Sequence, residues 1–220
     1  MSFLNVILKL SQGEDGGQIG MERTDLVCLG DSIVYGYGVS ERYAWPCLAS
    51  RELGIHILNK GENGDTADGM NVRFMEDVVW NHPKEVFVMA GANDILMGIP
   101  QAHTRESMDM IIQKALAANI PPIIGIPLQV DGAMLKKCWY SFFSIEETME
   151  IFRSYREWLL DYCEKKQIPY VDFQKEFPEY IEKKGISRAF RDGVHPTKEG
   201  YAVMADIFCD TYRKMKGVVL

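Results

Sequence analysis

An activated hydroxyl needs a nucleophile, a base to take its proton and a carboxylate to orient that base, and two short blocks of this chain supply those residue types. The first, Gly30-Asp31-Ser32-Ile33, closes an apolar run, where a glycine permits a tight turn and leaves the serine at the mouth of any cleft there. Gly-Asp-Ser is equally a turn and helix N-cap signal. The second block is Asp192-Gly193-Val194-His195-Pro196. Pro196 fits the first position of a helix and biases His195 toward extended backbone, which predicts a histidine on a loop rather than on an apolar face. A lone histidine is ordinarily structural, but Asp192 can reach back to one ring nitrogen and leave the other free to accept a proton. His56, His82 and His103 have no comparable partner nearby, and none forms an H-E-x-x-H pair.

Two further blocks could serve an oxyanion. Asn59-Lys60-Gly61-Glu62-Asn63-Gly64-Asp65-Thr66 is rich in glycines whose N–H groups can face a cavity without a Cβ in the way, and it reads equally well as an ordinary loop. Gly91-Ala92-Asn93-Asp94 offers a side-chain amide that either caps a helix or donates to a ligand.

The elements that must hold these blocks are short β-branched runs alternating with stretches of helical period. Strands are expected at 25–29, 55–58, 85–90, 122–126 and 169–173. Helical faces are expected from Met108, Ile111, Ile112, Ala115 and Leu116, from Phe152, Tyr155, Leu159 and Tyr162, and from Tyr201, Met204, Ala205 and Phe208. This alternation predicts an α/β fold: a three-layer α/β/α sandwich around a central, mostly parallel five-stranded sheet, flavodoxin-like in plan. In such sheets ligands sit beyond the carboxyl ends of the strands, where each of the four blocks falls. No repeat or sharp change in composition divides the 220 residues, so 1–220 is expected to form one domain.

Composition narrows the function classes. With 24 Lys and Arg against 31 Asp and Glu, the net charge of −7 offers no footprint for a phosphate backbone, so nucleic acid is not expected as a partner. No apolar run is long enough to span a membrane. Segment 1–10 is broken by Asn5 and Lys9 and lacks a basic start, so it is not read as a signal peptide. The five cysteines, Cys28, Cys47, Cys138, Cys163 and Cys209, are odd in number and form no C-x-x-C pair, which fits neither a disulfide framework nor a zinc site and points to a reducing cytoplasm. The G-x-S-x-G elbow of α/β-hydrolases fails at Val34, a dinucleotide fingerprint fails after Gly36-Tyr37-Gly38 at Glu41, and no P-loop is present. A receiver-type module could use Asp31 as its phosphoacceptor but has no need of Asp192 and His195.

Taken together, the four blocks resemble the SGNH hydrolases, the GDSL esterase/lipase family, from Leu29 to the final helix. The resemblance implies the same three-layer sandwich, with Ser32 as nucleophile, His195 as general base and Asp192 orienting the imidazole. It further implies an oxyanion hole made by the N–H groups of Ser32 and Gly64 and the amide of Asn93, and a mechanism that requires no metal or organic cofactor. Ile33 stands where the family name expects leucine, an apolar swap of similar volume. Segment 1–23 precedes the first block as an added element, a homo-oligomer contact or a gene-start artefact.

The implied activity is hydrolysis of an acyl ester or thioester, the alternative being a catalytically silent binding protein of the same fold. Substrate contacts are expected from Asp31 and from the aromatic segment 132–143, with Trp139, Tyr140, Phe142 and Phe143, as an acyl pocket, a partial lid, or the cover of a sheet edge or subunit interface. The acidic balance and the lack of a long amphipathic lid argue against stable membrane association and favour small soluble or short-chain acyl substrates.

Overall fold

A computed structural model describes residues 24–139, 142–175 and 177–217. The expected N-terminal extension at 1–23 and the aromatic Tyr140 lie outside the described residues. The sheet has five parallel strands in the order β2-β1-β3-β4-β5: β1 (Leu26–Gly30), β2 (Ile57–Gly61), β3 (Glu85–Met89), β4 (Pro122–Ile126) and β5 (Tyr170–Asp172). Helices between them are α1 (Ser32–Tyr35), α2 (Trp45–Leu53), α3 (Ala67–Asp77), α4 (Ala92–Leu96), α5 (Gln101–Ala117), α6 (Gly132–Cys138) and α7 (Ile145–Lys166). After β5 come α8 (Phe177–Lys184), α9 (Ile186–Ala189) and α10 (Lys198–Met215).

The period-two alternation of the strands sorts their side chains into two cores. Val27, Leu29, Val86, Val88, Ile124 and Ile126 point to one face, where α3, α5 and α7 cover them. Leu26, Cys28, Phe87, Met89, Ile123 and Val171 point to the other, under α2 and α10. Both faces are apolar because both are covered, which is why these strands read as continuous apolar runs. On the second face Trp45 sits 5.1 Å from Phe87 and 5.0 Å from Phe208, ring centre to ring centre, locking α2 and α10 to the sheet.

The expected sandwich is present, with the strand ends corrected. β1 starts one residue later than expected and runs through Gly30, β3 stops at Met89, and β5 keeps only its central residues. β2 shifts furthest: Asn59, Lys60 and Gly61, expected in a loop, continue the ladder to Gly30↔Gly61. An edge strand is half-buried along its length and tolerates polar residues. On α5, Met108, Ile111, Ile112 and Ala115 are buried as expected, but Leu116 is 48% exposed at the rim of the stripe.

Candidate active site

The register pairs Gly30 with both Gly61 and Met89, so β1, β2 and β3 end flush and their following loops meet at one edge. The chain turns after Gly30 directly into α1. Gly30 is needed for close packing rather than for an unusual backbone angle, since a Cβ there would lie 2.2 Å from Val34 Cγ2. Asp31 caps this short helix, its Oδ1 accepting from Ile33 N–H at 2.9 Å, and Ser32 opens the first turn. A first-turn N–H has no intrahelical acceptor and is available to a ligand.

The Ser32 hydroxyl lies 2.8 Å from His195 Nε2, and His195 Nδ1 lies 2.7 Å from Asp192 Oδ2. With Nδ1–H donating to the carboxylate, Nε2 holds the lone pair that accepts from the serine. Ser32 and His195 are only 6% and 5% exposed. Asp192 Oδ1 also accepts the backbone N–H groups of Val194 and His195, at 3.0 and 2.8 Å. Burial works to raise the Asp192 pKa, but the hydrogen bonds from the His195 ring and from these two amides outweigh it and hold the carboxyl below its ordinary value.

The loop carrying this pair is clasped at both sides. Phe190 and Pro196 form an antiparallel bridge across its base, and Asp131 N–H donates to Gly193 O at 2.8 Å. Gly193 adopts φ +89°, and a Cβ there would lie 2.8 Å from Leu135 N and 2.9 Å from Asp131 O, so no other residue fits against the start of α6. The helix after this loop is capped by Thr197 and begins at Lys198, two residues later than Pro196 suggests.

Asn93 lies in the first turn of α4, 8% exposed, and its Nδ2 donates to Asp65 O at 2.8 Å, tying the loop after β3 to the one after β2. An amide nitrogen has two hydrogens, which leaves one for a ligand. Gly64, with φ +79°, lies on that exposed loop beside Asp65. The following residue, Asp94, is fully buried and accepts Ala67 N–H at the start of α3.

Other expected contacts divide. Trp139 packs against the His195 ring with centres 5.4 Å apart, whereas Phe142, 71% exposed, lies over Gly98 and against Phe143. Asp31, expected as a substrate contact, is 2% exposed, and its cap hydrogen bond turns it into the protein. Tyr37 was absent from the expected set, yet its ring lies 4.4 Å from that of His195, and the Arg191 guanidinium lies over the Tyr37 ring, 5.6 Å from its centre. The paired glycines flanking it, Gly36 and Gly38, are the one sequence signal that could have singled it out; both adopt positive φ.

Among the described residues no cluster of His, Cys, Asp and Glu could hold a metal ion, and no helix is long and apolar enough to cross a membrane. A hydroxyl, an imidazole and a carboxylate in series, with amide donors nearby, can form and cleave an acyl-serine.

The chain is 32% identical over 101 residues to thioesterase 1/protease 1/lysophospholipase L1 of Escherichia coli K12, a match covering 45% of this chain and about half (49%) of that protein's length. It is 26% identical over 158 residues to an acetylxylan esterase of Geobacillus stearothermophilus, covering 71% of this chain and 72% of that one. The fold matches that of a member of the lipolytic protein G-D-S-L family from Veillonella parvula with a TM-score of 0.73, at 24% identity, over 87% of this chain and 99% of the other. With the signature of the GDSL-like lipase/acylhydrolase family matched over residues 28–203, the chain belongs to that family.

Proposed function

We propose that the protein hydrolyses carboxylic esters or thioesters through an acyl-Ser32 intermediate. The single observation that carries this reading is the unbroken series Ser32 Oγ, His195 Nε2, His195 Nδ1 and Asp192 Oδ2, with spacings of 2.8 and 2.7 Å. His195 takes the Ser32 proton as Oγ attacks the acyl carbonyl, and returns it to the departing alcohol or thiol. Water then repeats the sequence on the acyl-serine and releases the acid. The N–H groups of Ser32 and Gly64 and the free Asn93 N–H are the donors for the oxyanion.

Trp139, beside His195, and Phe142, over Gly98, are the apolar surfaces suited to an acyl group. The substrate class in this reading is a small or short-chain acyl ester. The free thiols of Cys28, Cys163 and Cys209, all buried, support a reducing, cytoplasmic setting.

A panel of p-nitrophenyl esters from acetate to palmitate, run at about pH 8, tests the reading on wild type and Ser32→Ala side by side. Cleavage by wild type that disappears in Ser32→Ala, with an unchanged melting temperature, is the expected result. A variant that keeps most of the activity would sink the assignment.

A further inference from the structure

Asp65, Gly69, Arg73 and Asp77 recur every fourth residue, from just before α3 to its last turn, and this spacing lays them along one helix face. Arg73 is at the centre of that row, its side chain only 13% exposed. Its guanidinium Nη2 donates to Gly30 O at 3.0 Å, and Nη1 donates to Lys60 O at 2.9 Å. Nε and Nη2 each lie 2.8 Å from Asp65 Oδ2, and Nη1 donates to Asp77 Oδ2 at 2.5 Å.

These partners are the roots of the site. Gly30 O stands two residues before Ser32, and Lys60 O lies on the last turn of β2 before the Gly64 loop. Asp65 follows Gly64, and its backbone carbonyl accepts Asn93 Nδ2. We propose that Arg73 is a positioning residue for the reaction, its guanidinium fixing from behind the three loops that present Ser32, Gly64 and Asn93. The proposal rests on the acyl-serine reading above.

Gly69 makes the arrangement feasible, since a Cβ there would lie 1.9 Å from Asp65 Oδ1 and push the carboxylate off the helix. Asp65 Oδ1 is held in turn by Thr66 N–H at 2.9 Å. Only a planar fork with five donors can reach two backbone carbonyls and two carboxylates at once; an ammonium on a single stem cannot. Burial works against the charge on Arg73, but the hydrogen bonds it donates to Asp77 and Asp65 outweigh it. Lys60 shares Asp77 at 2.9 Å and so anchors α3 to β2 independently of the oxyanion loops. Helix attachment and loop positioning are therefore separable.

The test compares Arg73→Ala and Arg73→Lys in the full chain on the best p-nitrophenyl ester, with Ile112→Ala as a reference. Ile112 is fully buried on α5, away from these loops, and supplies a variant destabilised by core loss alone. Arg73→Ala is expected to lose on the order of 10²-fold in kcat with KM changed less than about 3-fold, since positioned oxyanion donors act on the transition state. Arg73→Lys should recover little of this, and millimolar guanidinium should restore part of the Arg73→Ala rate where ammonium does not. Ile112→Ala should keep its kcat below its own melting point. A kcat loss in Arg73→Ala no larger than in Ile112→Ala, or a loss confined to KM, overturns the proposal. Full activity in Ser32→Ala would instead overturn the acyl-serine reading, and the Arg73 role with it.

Discussion

Replacing Asp31 with asparagine should stabilise the protein, and the gain should depend on pH. Asp31 is 2% exposed, and its carboxylate accepts the backbone amide of Ile33 at 2.9 Å. Burial raises its pKa against the hydrogen bonds from the Ile33 amide and its own, and the nearby carboxylates of Asp94 and Asp65 raise it further, so the group moves from an ordinary 3.8 to about 7. The sign follows from proton binding. Between these two values the folded chain holds a proton that the unfolded chain has released, so stability falls as pH rises from about 4 to about 7 and is level above that. At ~1.36 kcal/mol per pH unit the full displacement is worth about 4 kcal/mol. Asparagine keeps an oxygen for Ile33 N–H and never ionises, so the two proteins should melt close together near pH 4, and at pH 5 only about a third of the full gap should have opened. At about pH 8 the variant should melt higher by roughly 8–16 °C, taking 2–4 °C per kcal/mol for a chain of this length, with any poorly placed amide hydrogen reducing that. Thermal unfolding followed by circular dichroism from pH 5 to 8 reads the gap directly. A gap that stays constant over this range, or narrows as pH rises, would refute the assignment of a largely protonated Asp31 in the folded protein.

Two other changes probe the same edge of the sheet. Asn93→Ala removes the amide proposed as an oxyanion donor together with its bond to Asp65 O; steady-state kinetics should show kcat lower by on the order of 10²–10³, while calorimetry should show a loss of about 1 kcal/mol. Asp192→Asn should lower kcat by orders of magnitude because an amide can hold His195 in the wrong tautomer. Since the Asp192 pKa is depressed, its contribution to stability is present above the ordinary carboxylate value and lost as pH falls through the lower one. The wild type should therefore melt above Asp192→Asn at neutral pH, and a difference that survives undiminished on acidification below about pH 3 would contradict that origin.

The strands and the four blocks were legible because each is a local signal. β3 and β4 are apolar on both faces and bounded by proline, lysine or glycine, so their period shows in the sequence within a residue of the ladder. β2 was misplaced because an edge strand carries Asn59 and Lys60, and only pairing with β1 reveals that they continue it. α6 was hidden inside an aromatic-rich stretch, although Asp131, whose side chain accepts Met134 N–H, is the cap that marks its start. α2, opening at Trp45-Pro46, likewise announced itself only by a proline near its first position. Tyr37 and Arg73 are another matter. Each acquires its role by touching residues from distant loops, and neither spacing nor composition states that those loops will meet.

The aspartates at this edge show how environment, rather than residue type, decides charge. Asp192 collects two backbone amides and the imidazole N–H, and these keep it ionised in spite of burial. Asp31 and Asp94 are buried deeper, and desolvation, aided by the nearby charge of Asp65, outweighs the hydrogen bonds they accept, from Ile33 N–H and Ala67 N–H among others, and raises both. The carboxylate that must balance a developing imidazolium is thus the one kept negative. Those behind Ser32 and Asn93, where a negative charge would oppose an oxyanion, are biased toward the neutral form. Sequence places all three beside the reacting groups but cannot sort them, because sorting depends on how deeply the folded loops bury each against the donors they aim at it.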